Sequence, residues 1–314
     1  MNRSVLFISF ILLLNGLIAQ EKSAREYLKF DYQLVVDNDV FTLDLKKDRF
    51  YSSGIYGAVR MLLDSTESGA KVIRSYQLNQ QMYTPTQVRW TRIEQLDRPY
   101  AGVMSITGSN EYYLPNNAYY KASVELGILG PASMVGRAQE TWHGWFGMPE
   151  PKGWKFQIEN TPVVNLYLTR VKPFFSSYNL DMSNVTVGSM GTIYNNIKHE
   201  VLLRVGELRP MNQSAFTSSS LGRKFSETRE LKEFYMFYAP GVEYVFQNAT
   251  LQGSLFSKNS PHTVDVIHWV WHHRFGMMWS WSRFDAGFTA FWRSPENETA
   301  IKHKYVGIRL NQRF

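Results

Sequence analysis

Period-two alternation of apolar and polar side chains runs through most of this 314-residue chain. Residues 28–36 carry apolar side chains at every even position with mostly polar ones between, and residues 120–128 repeat the pattern. Successive side chains of a strand point to opposite faces, so such segments predict strands with one apolar and one polar face. Segments of about ten residues with this alternation are typical of a transmembrane β-barrel, although a soluble β-sandwich gives similar alternation.

The aromatic residues favour the barrel over the sandwich. Phe, Trp and Tyr make up 15% of the chain. Trp269 and Trp271 share one face of a predicted strand with Trp279 and Trp281, ten residues further on. Ten residues of a strand tilted near 40° rise roughly 25 Å, which is the separation of the two aromatic girdles of an outer-membrane barrel.

The alternation divides the chain into twelve predicted strands. An even number of strands places both termini on one side of the membrane, in the periplasm. We therefore predict an all-β fold, a transmembrane antiparallel β-barrel of about twelve strands, as a single domain over residues 20–314. The predicted strands are 27–37, 51–62, 72–83, 100–112, 119–129, 160–171, 182–193, 198–208, 229–246, 262–282, 284–294 and 302–314.

The two ends of the sequence indicate export to the outer membrane. Residues 1–19 fit a secretory signal peptide cleaved after Ala19, and no later apolar run is long enough for a membrane helix. Residues 305–314 alternate and end in Phe314, which resembles the last strand of outer-membrane barrels. The chain has no cysteine, which excludes disulfides and thiolate metal sites and is typical of an exported bacterial protein of this size.

The formal charge of +7 permits an anionic partner. An exported chain without a basic tract is not expected to bind nucleic acid. Lipid phosphates are the better match, and we expect outer-membrane lipid as a partner of a monomeric protein.

One segment breaks the strand pattern. Pro131 suits the first turn of a helix, and Gly147 ends it. Gln139 and His143 lie four residues apart, so they stack one turn above each other. The sequence thus predicts an α-helix over about 132–147 in an extracellular loop, forming one wall of an active site. An apolar stripe recurs on it at Val135, Ala138, Trp142 and Trp145.

Short motifs cluster in the long connections at the ends of the first six predicted strands. In this order they resemble the outer-membrane lipid A 3'-O-deacylase family, over about residues 35–160 and more weakly through the later strands. The motifs are residues 37–41 (DNDVF), 48–54 (DRFYSSG), 83–85 (YTP), 97–102 (DRPYAG), 129–133 (LGPAS), Gln139-x-x-x-His143 and 153–157 (GWKFQ).

The resemblance implies a twelve-stranded barrel with a calcium-dependent ester hydrolase site between the helix and the barrel wall. Lipid A, the lipid part of lipopolysaccharide, would be the substrate, and the site would face outward from a Gram-negative outer membrane. Asn38 and Asp39 match the family's Asn-Asp pair. Ser52 matches a Thr or Ser position, and Gln139 and His143 match the helix pair.

Two further positions carry over with small departures. The family's basic residue falls at Arg89 or Trp90, and Arg89 is the choice for a lipid phosphate. The family's Glu falls at Pro149, so Glu150 matches after a one-residue shift. The resemblance implies that Asp39, Asn38 and Glu150 hold Ca²⁺, because calcium prefers oxygen ligands.

The implied chemistry is hydrolysis by water. A neutral His143 would take a proton from water, and the metal would stabilise the oxyanion. Two alternatives remain open: an outer-membrane phospholipase with Ser52 as nucleophile and His143 as base, and a non-enzymatic pore or binding barrel.

Overall fold

The computed structural model describes residues 28–39, 42, 49–66, 70–222 and 232–314. Over these residues the chain forms one closed antiparallel barrel, in which each strand pairs with its sequence neighbours and β1 pairs with β12. The strands are β1 (Phe30–Asn38), β2 (Phe50–Ser65), β3 (Lys71–Thr84), β4 (Ala101–Tyr113), β5 (Tyr119–Leu129), β6 (Thr161–Ser176), β7 (Leu180–Gly191), β8 (Tyr194–Glu207), β9 (Lys232–Asn248), β10 (Trp269–Trp281), β11 (Phe284–Arg293) and β12 (His303–Arg313).

Two α-helices accompany the described strands, α1 (Val135–Phe146) and α2 (Ala249–Gln252). A 3-10 turn at Pro131–Ser133 precedes α1, so the predicted helix exists and begins three residues late. In the described part of the chain, no helix is long and apolar enough to cross a membrane.

The twelve-stranded barrel predicted from the alternation is confirmed. One predicted strand is too long at its start, because residues 262–268 are not strand. Val264 donates its N–H to the Leu251 carbonyl and Ile267 donates to the Glu296 carbonyl, so this stretch bonds to loops instead of a strand neighbour. The predicted signal peptide and the predicted strand residues 27 and 229–231 lie outside the described residues.

The wall alternates as the sequence predicts. The outward side chains Leu78, Ile106, Leu126 and Leu166 are between 53% and 58% exposed. Inward positions of the same strands are buried and polar. The four tryptophans of β10 all point outward, in two pairs at opposite ends of the strand.

The barrel has two different ends. Strand β1 ends and strand β2 begins at the same end of the barrel as α1 and the connections 85–100 and 130–160, and we call this the helix end. Leu28, Phe314 and residues 208–222 lie at the other end, which we call the termini end. The described parts of the three connections that carry the motifs therefore share one end.

Residues 208–222 fold into the lumen at the termini end, and we call this segment the plug. Met211, Ala215 and Leu221 are at most 1% exposed and pack with inward side chains such as Ile73 and Tyr113. Strand alternation does not predict such a segment. Apolar side chains of the plug therefore occupy the lumen at the termini end.

Buried charges attach the plug to the wall. Arg60, 2% exposed, donates to Asp31 Oδ2 at 2.8 Å, to Glu111 Oε2 at 2.7 Å and to the plug carbonyl of Ser218 at 2.7 Å. One arginine thus bridges two buried carboxylates and holds the plug.

Arg60→Met should therefore weaken the barrel by roughly 3–5 kcal/mol, because the buried carboxylates of Asp31 and Glu111 both lose the ion pair with Arg60. The measurement is the temperature at which the folded, faster-migrating gel band converts to the unfolded band. Arg74→Met is the matched control, since Arg74 lies on β3 and donates to the neutral Asn110. Equal conversion temperatures for both variants would contradict the assignment.

Candidate functional site

Helix α1 packs against the outside of the barrel. A Cβ at Gly102 would lie 2.6 Å from Val135 Cβ, so only glycine lets the helix come this close to β4. Met82 pairs with Gly102 and faces outward, yet it is 8% exposed while Leu78 on the same face is 56% exposed. The helix therefore covers the outer wall at the ends of β3 and β4.

The buried face of α1 is the one that carries the two predicted polar residues. Val135, Gly136, Gln139 and His143 are its buried residues. Of the predicted apolar stripe, only Val135 is buried. Periodicity identified the apolar stripe but did not show what each face of the helix contacts. Around a membrane barrel an apolar helix face can contact lipid instead of protein.

Gln139 is fixed by a tryptophan from the returning loop. Trp154 donates its indole N–H to Gln139 Oε1 at 2.8 Å, and both side chains are buried. The indole lies on Gly136, where a Cβ would be 2.7 Å from the ring. Since Oε1 accepts from Trp154, the –NH₂ end of the amide is directed away from the indole and can only donate.

His143 is oriented by a backbone carbonyl. Gly147 adopts a left-handed conformation with φ of 63° and ends the helix, which turns the chain back toward the imidazole. His143 Nδ1 then lies 2.5 Å from the carbonyl oxygen of Pro149. A carbonyl can only accept, so Nδ1 carries the proton and Nε2 holds the lone pair. This is the tautomer that a general base needs.

The Asn38–Asp39 turn lies on the same outer wall. Asn38 pairs with Ser53, and Ser53 pairs with Met82. The row of outward positions thus leads from Asn38 on β1 to the wall beneath α1.

A β-bulge at Ser52 widens this row. Tyr51 pairs with Tyr83 and Ser53 with Met82, so two serines of β2 stand opposite one residue of β3. Ser52 is 3% exposed, and its carbonyl accepts the N–H of Asp39 at 3.2 Å. The bulge therefore ties the Asn-Asp turn to β2.

Asp39 is a buried carboxylate, 3% exposed. Its Oδ2 accepts the backbone N–H of Arg49 at 2.7 Å. Its carbonyl accepts from the Thr42 hydroxyl at 2.7 Å. A carboxylate held this way offers hard oxygen to a cation, which fits the donor chemistry of calcium.

The predicted residues Arg89 and Glu150 lie on neighbouring loops. The Val88 carbonyl accepts from Lys152 N–H at 2.9 Å, so exposed Arg89 lies beside the segment that carries Pro149. Glu150 is 75% exposed and lies 3.7 Å from Lys152 Nζ. Within the described residues no three His, Asp or Glu side chains are grouped as a metal site, so Glu150 is not brought to Asp39 and His143 here. Its role as a ligand stays a prediction.

Buried polar contacts brace the loops behind the site. Arg98, fully buried, forms an ion pair with Glu296 and donates to Thr250 Oγ1 at 3.2 Å. Burial lowers the pKa of His262, against the opposing effect of the Asp97 carboxylate. These contacts join the connections after β3, β9 and β11 at the helix end.

The lumen holds a separate cavity of about 480 Å³. Its polar lining includes Tyr56, Gln81 and Glu125 but neither Gln139 nor His143. The cavity and the helix–wall site therefore lie on opposite sides of the barrel wall.

Sequence reasoning assigned no role to two groups of this site. Trp154 stood in a recognised motif, but its contact with Gln139 spans fifteen positions and has no periodic signal. The Pro149 carbonyl is a backbone group, which no residue pattern reveals.

Comparisons with known proteins agree with this architecture. A family model described as "Outer membrane protein LpxR" matches residues 6–314. The solved structure of LpxR from Salmonella typhimurium is similar with a TM-score of 0.72 and 18% identity, covering 90% of this chain and 100% of that one. The β-domain of the Bordetella autotransporter BrkA gives a TM-score of 0.50 at 7% identity, covering 90% and 98%. No curated protein sequence matches significantly. At these identities the structural likeness shows the barrel fold.

Proposed function

The chain belongs to the LpxR family of outer-membrane proteins, and from this membership and the site geometry we propose that it is a lipid A deacylase. It hydrolyses a 3'-O-linked acyl ester of lipid A at the rim of the barrel. The observation that carries the proposal is the buried Gln139–His143 face of α1, a helix that packs on the outer wall through Val135 and Gly102. A membrane lipid reaches the outer wall directly, whereas a lumen site serves water-soluble molecules.

The helix end then faces the cell exterior. Outer-membrane barrels keep short turns in the periplasm and longer loops outside, and an even strand number places both termini in the periplasm. Lipid A occupies the outer leaflet, so substrate and site lie on the same side of the membrane.

His143 acts as the general base on water. Its Nε2 takes a proton as the water oxygen attacks the ester carbonyl carbon. The bond from this carbon to the sugar oxygen then breaks, and the proton passes to that oxygen. The products are a fatty acid and a free sugar hydroxyl, so water supplies every atom gained.

Gln139 donates to the oxygen that becomes negative during attack. Its –NH₂ end can only donate, because Trp154 fixes Oε1. Preorganised donors of this kind are effective since they need no reorganisation during the reaction. Asn38 and Ser52 complete the polar wall of the site from β1 and β2.

Asp39, Asn38 and Glu150 are the residues that would hold Ca²⁺. When bound, calcium supplies positive charge for the ester oxygen. Glu150 would have to approach from its exposed loop position. Arg89 binds a phosphate of lipid A at the same rim.

Two alternatives make different predictions. A phospholipase with Ser52 as nucleophile would be labelled covalently by a serine-directed inhibitor, whereas direct attack by water leaves no labelled serine. A pore requires an open lumen, and the plug with its Arg60 anchor opposes that reading.

Mass spectrometry of lipid A tests the proposal. Cells that express the protein should contain lipid A lighter by an acyl group, and purified protein should release the fatty acid from lipid A. Lipid A of unchanged mass, with the protein folded in the outer membrane, would contradict it.

Trp154→Phe should lower the rate on the order of tenfold, because the Gln139 amide loses its partner and can rotate. Phenylalanine keeps a ring against Gly136. Phe156→Leu, on the same loop, is the control. We expect kcat to fall more than KM rises, and the gel conversion temperature to stay unchanged. A change in KM alone would instead place Trp154 in substrate binding.

A further inference from the structure

One side of helix α1 carries large apolar side chains that are exposed and do not pack on the barrel. Trp145 is 63% exposed, Phe146 60%, Trp142 54% and Met134 50%. Trp142 and Phe146 contact each other, with ring centroids 4.5 Å apart. We call Met134, Ala138, Trp142, Trp145 and Phe146 the apolar flank.

The helix has three surfaces around its axis. Successive side chains differ by 100° around a helix, which puts the apolar flank on one side of the buried face and a polar flank on the other. The polar flank consists of Arg137, Glu140 and Thr141, all exposed. A helix lying against a wall with one apolar and one polar flank fits the boundary between a membrane and water.

The helix also lies crosswise on the wall. The turn that precedes it contacts β4 and β5, and α1 itself contacts β3 and β4. Its flanks therefore point along the strands, one toward the membrane and one toward the exterior. Leu78 and Ile106, on the two strands that α1 contacts, are exposed apolar side chains as well.

The two loops behind the helix, one after β3 and one after α1, add charge suited to lipid headgroups. Arg89, Lys152 and Lys155 are exposed there, with Glu150 as the acidic neighbour of Lys152. Basic side chains next to aromatic ones are typical of surfaces that bind anionic lipid.

We propose that the apolar flank is an interfacial surface that inserts among the acyl chains of the outer leaflet. It holds α1 at the depth where acyl chains join the sugar headgroup, so a lipid ester enters the helix–wall site without leaving the bilayer. The insertion stands on the geometry of the helix, whereas its kinetic consequence rests on the proposed function.

Depth measurements test the insertion directly. The chain has no cysteine, so Trp145→Cys and Glu140→Cys each accept a single nitroxide label. The protein is reconstituted in phosphatidylcholine vesicles containing lipid A, and collisions with oxygen and with a water-soluble nickel chelate are compared. We expect the label at 145 to favour oxygen and the label at 140 to favour nickel. Equal nickel accessibility at both positions would overturn the proposal.

Kinetics test the consequence. The double variant Trp142→Gln, Trp145→Gln should hydrolyse lipid A in vesicles about tenfold more slowly, because the flank loses its apolar burial. The loss should be much smaller for lipid A dispersed in detergent micelles. Glu140→Gln is the matched control on the polar flank and should match wild type in both.

The outcomes separate the two proposals. An equal loss in vesicles and micelles would contradict membrane insertion as the role of the flank. No hydrolysis by the wild-type protein in either assembly would refute the proposed function, while the nitroxide result would still decide the insertion.

Discussion

Replacing His143 with asparagine should lower lipid A hydrolysis by about 10²–10⁴-fold, the usual cost of removing a general base. The buried imidazole has its Nδ1 proton directed at the Pro149 carbonyl, which makes Nε2 the basic nitrogen of the ring. Asparagine can still donate to Pro149 but offers no basic nitrogen. Release of fatty acid from purified lipid A measures the effect.

The pH profile should report the same group. The neutral imidazole is the active form, so the rate should fall as pH decreases into the range in which His143 becomes protonated. A bound cation disfavours the protonated form, so it would shift this fall to lower pH.

A matched control separates catalysis from folding. Thr141→Asn introduces the same side chain two positions away, on the exposed polar flank. It should keep wild-type activity, and both variants should keep the wild-type gel conversion temperature. If His143→Asn retained more than about a tenth of the rate, the loss would be too small for a general base and this role would be wrong.

The barrel could be predicted because the residues of its wall alternate between apolar and polar along every strand. The predicted strand boundaries agree best with the observed ones where the turns are short. Strand β5, for example, runs over Tyr119–Leu129, as predicted. Boundaries failed where loops bond to other loops. Residues 262–268 alternate like a strand, but Val264 and Ile267 bond to Leu251 and Glu296, which are remote in sequence.

The plug could not be predicted from alternation. Met211, Ala215 and Leu221 have no strand period, and their burial depends on a lumen that exists only when the barrel closes. The polar anchor Arg60 reads in the sequence as an ordinary inward side chain. Its three partners are brought together by β1, β4 and the plug.

In the candidate site, too, some features could be predicted from the sequence and others could not. The residue types at Asn38, Asp39, Gln139 and His143 were available from motif order. Their environment was not, since Trp154 and the Pro149 carbonyl hold the buried Gln139 and His143 while Trp142 and Trp145 are exposed. In a water-soluble protein an apolar helix face packs into the core, whereas beside a membrane it can be exposed to lipid.

Removing calcium should abolish hydrolysis, and Asp39→Asn should raise the calcium concentration needed for half-maximal activity by about tenfold or more, because affinity depends on ligand charge. Asp39 is a buried carboxylate on the turn that β2 holds through Ser52. Asparagine keeps the oxygen that accepts the Arg49 N–H but lacks the charge. Activity after chelation and readdition, together with calorimetric calcium binding, measures the effect.

Asp37→Asn is the matched control for this test. Asp37 lies two residues before Asp39, on β1, where it lines the lumen cavity and accepts from the Tyr51 hydroxyl at 3.0 Å. It should keep the wild-type calcium response, because its side chain lies in the lumen and is held by Tyr51. Glu150→Gln examines the third predicted ligand: weaker calcium binding would show that the exposed loop closes on the ion, and unchanged binding would remove Glu150 from the ligand set. Full turnover in excess chelator would contradict the calcium proposal and leave Gln139 and His143 to act without a metal.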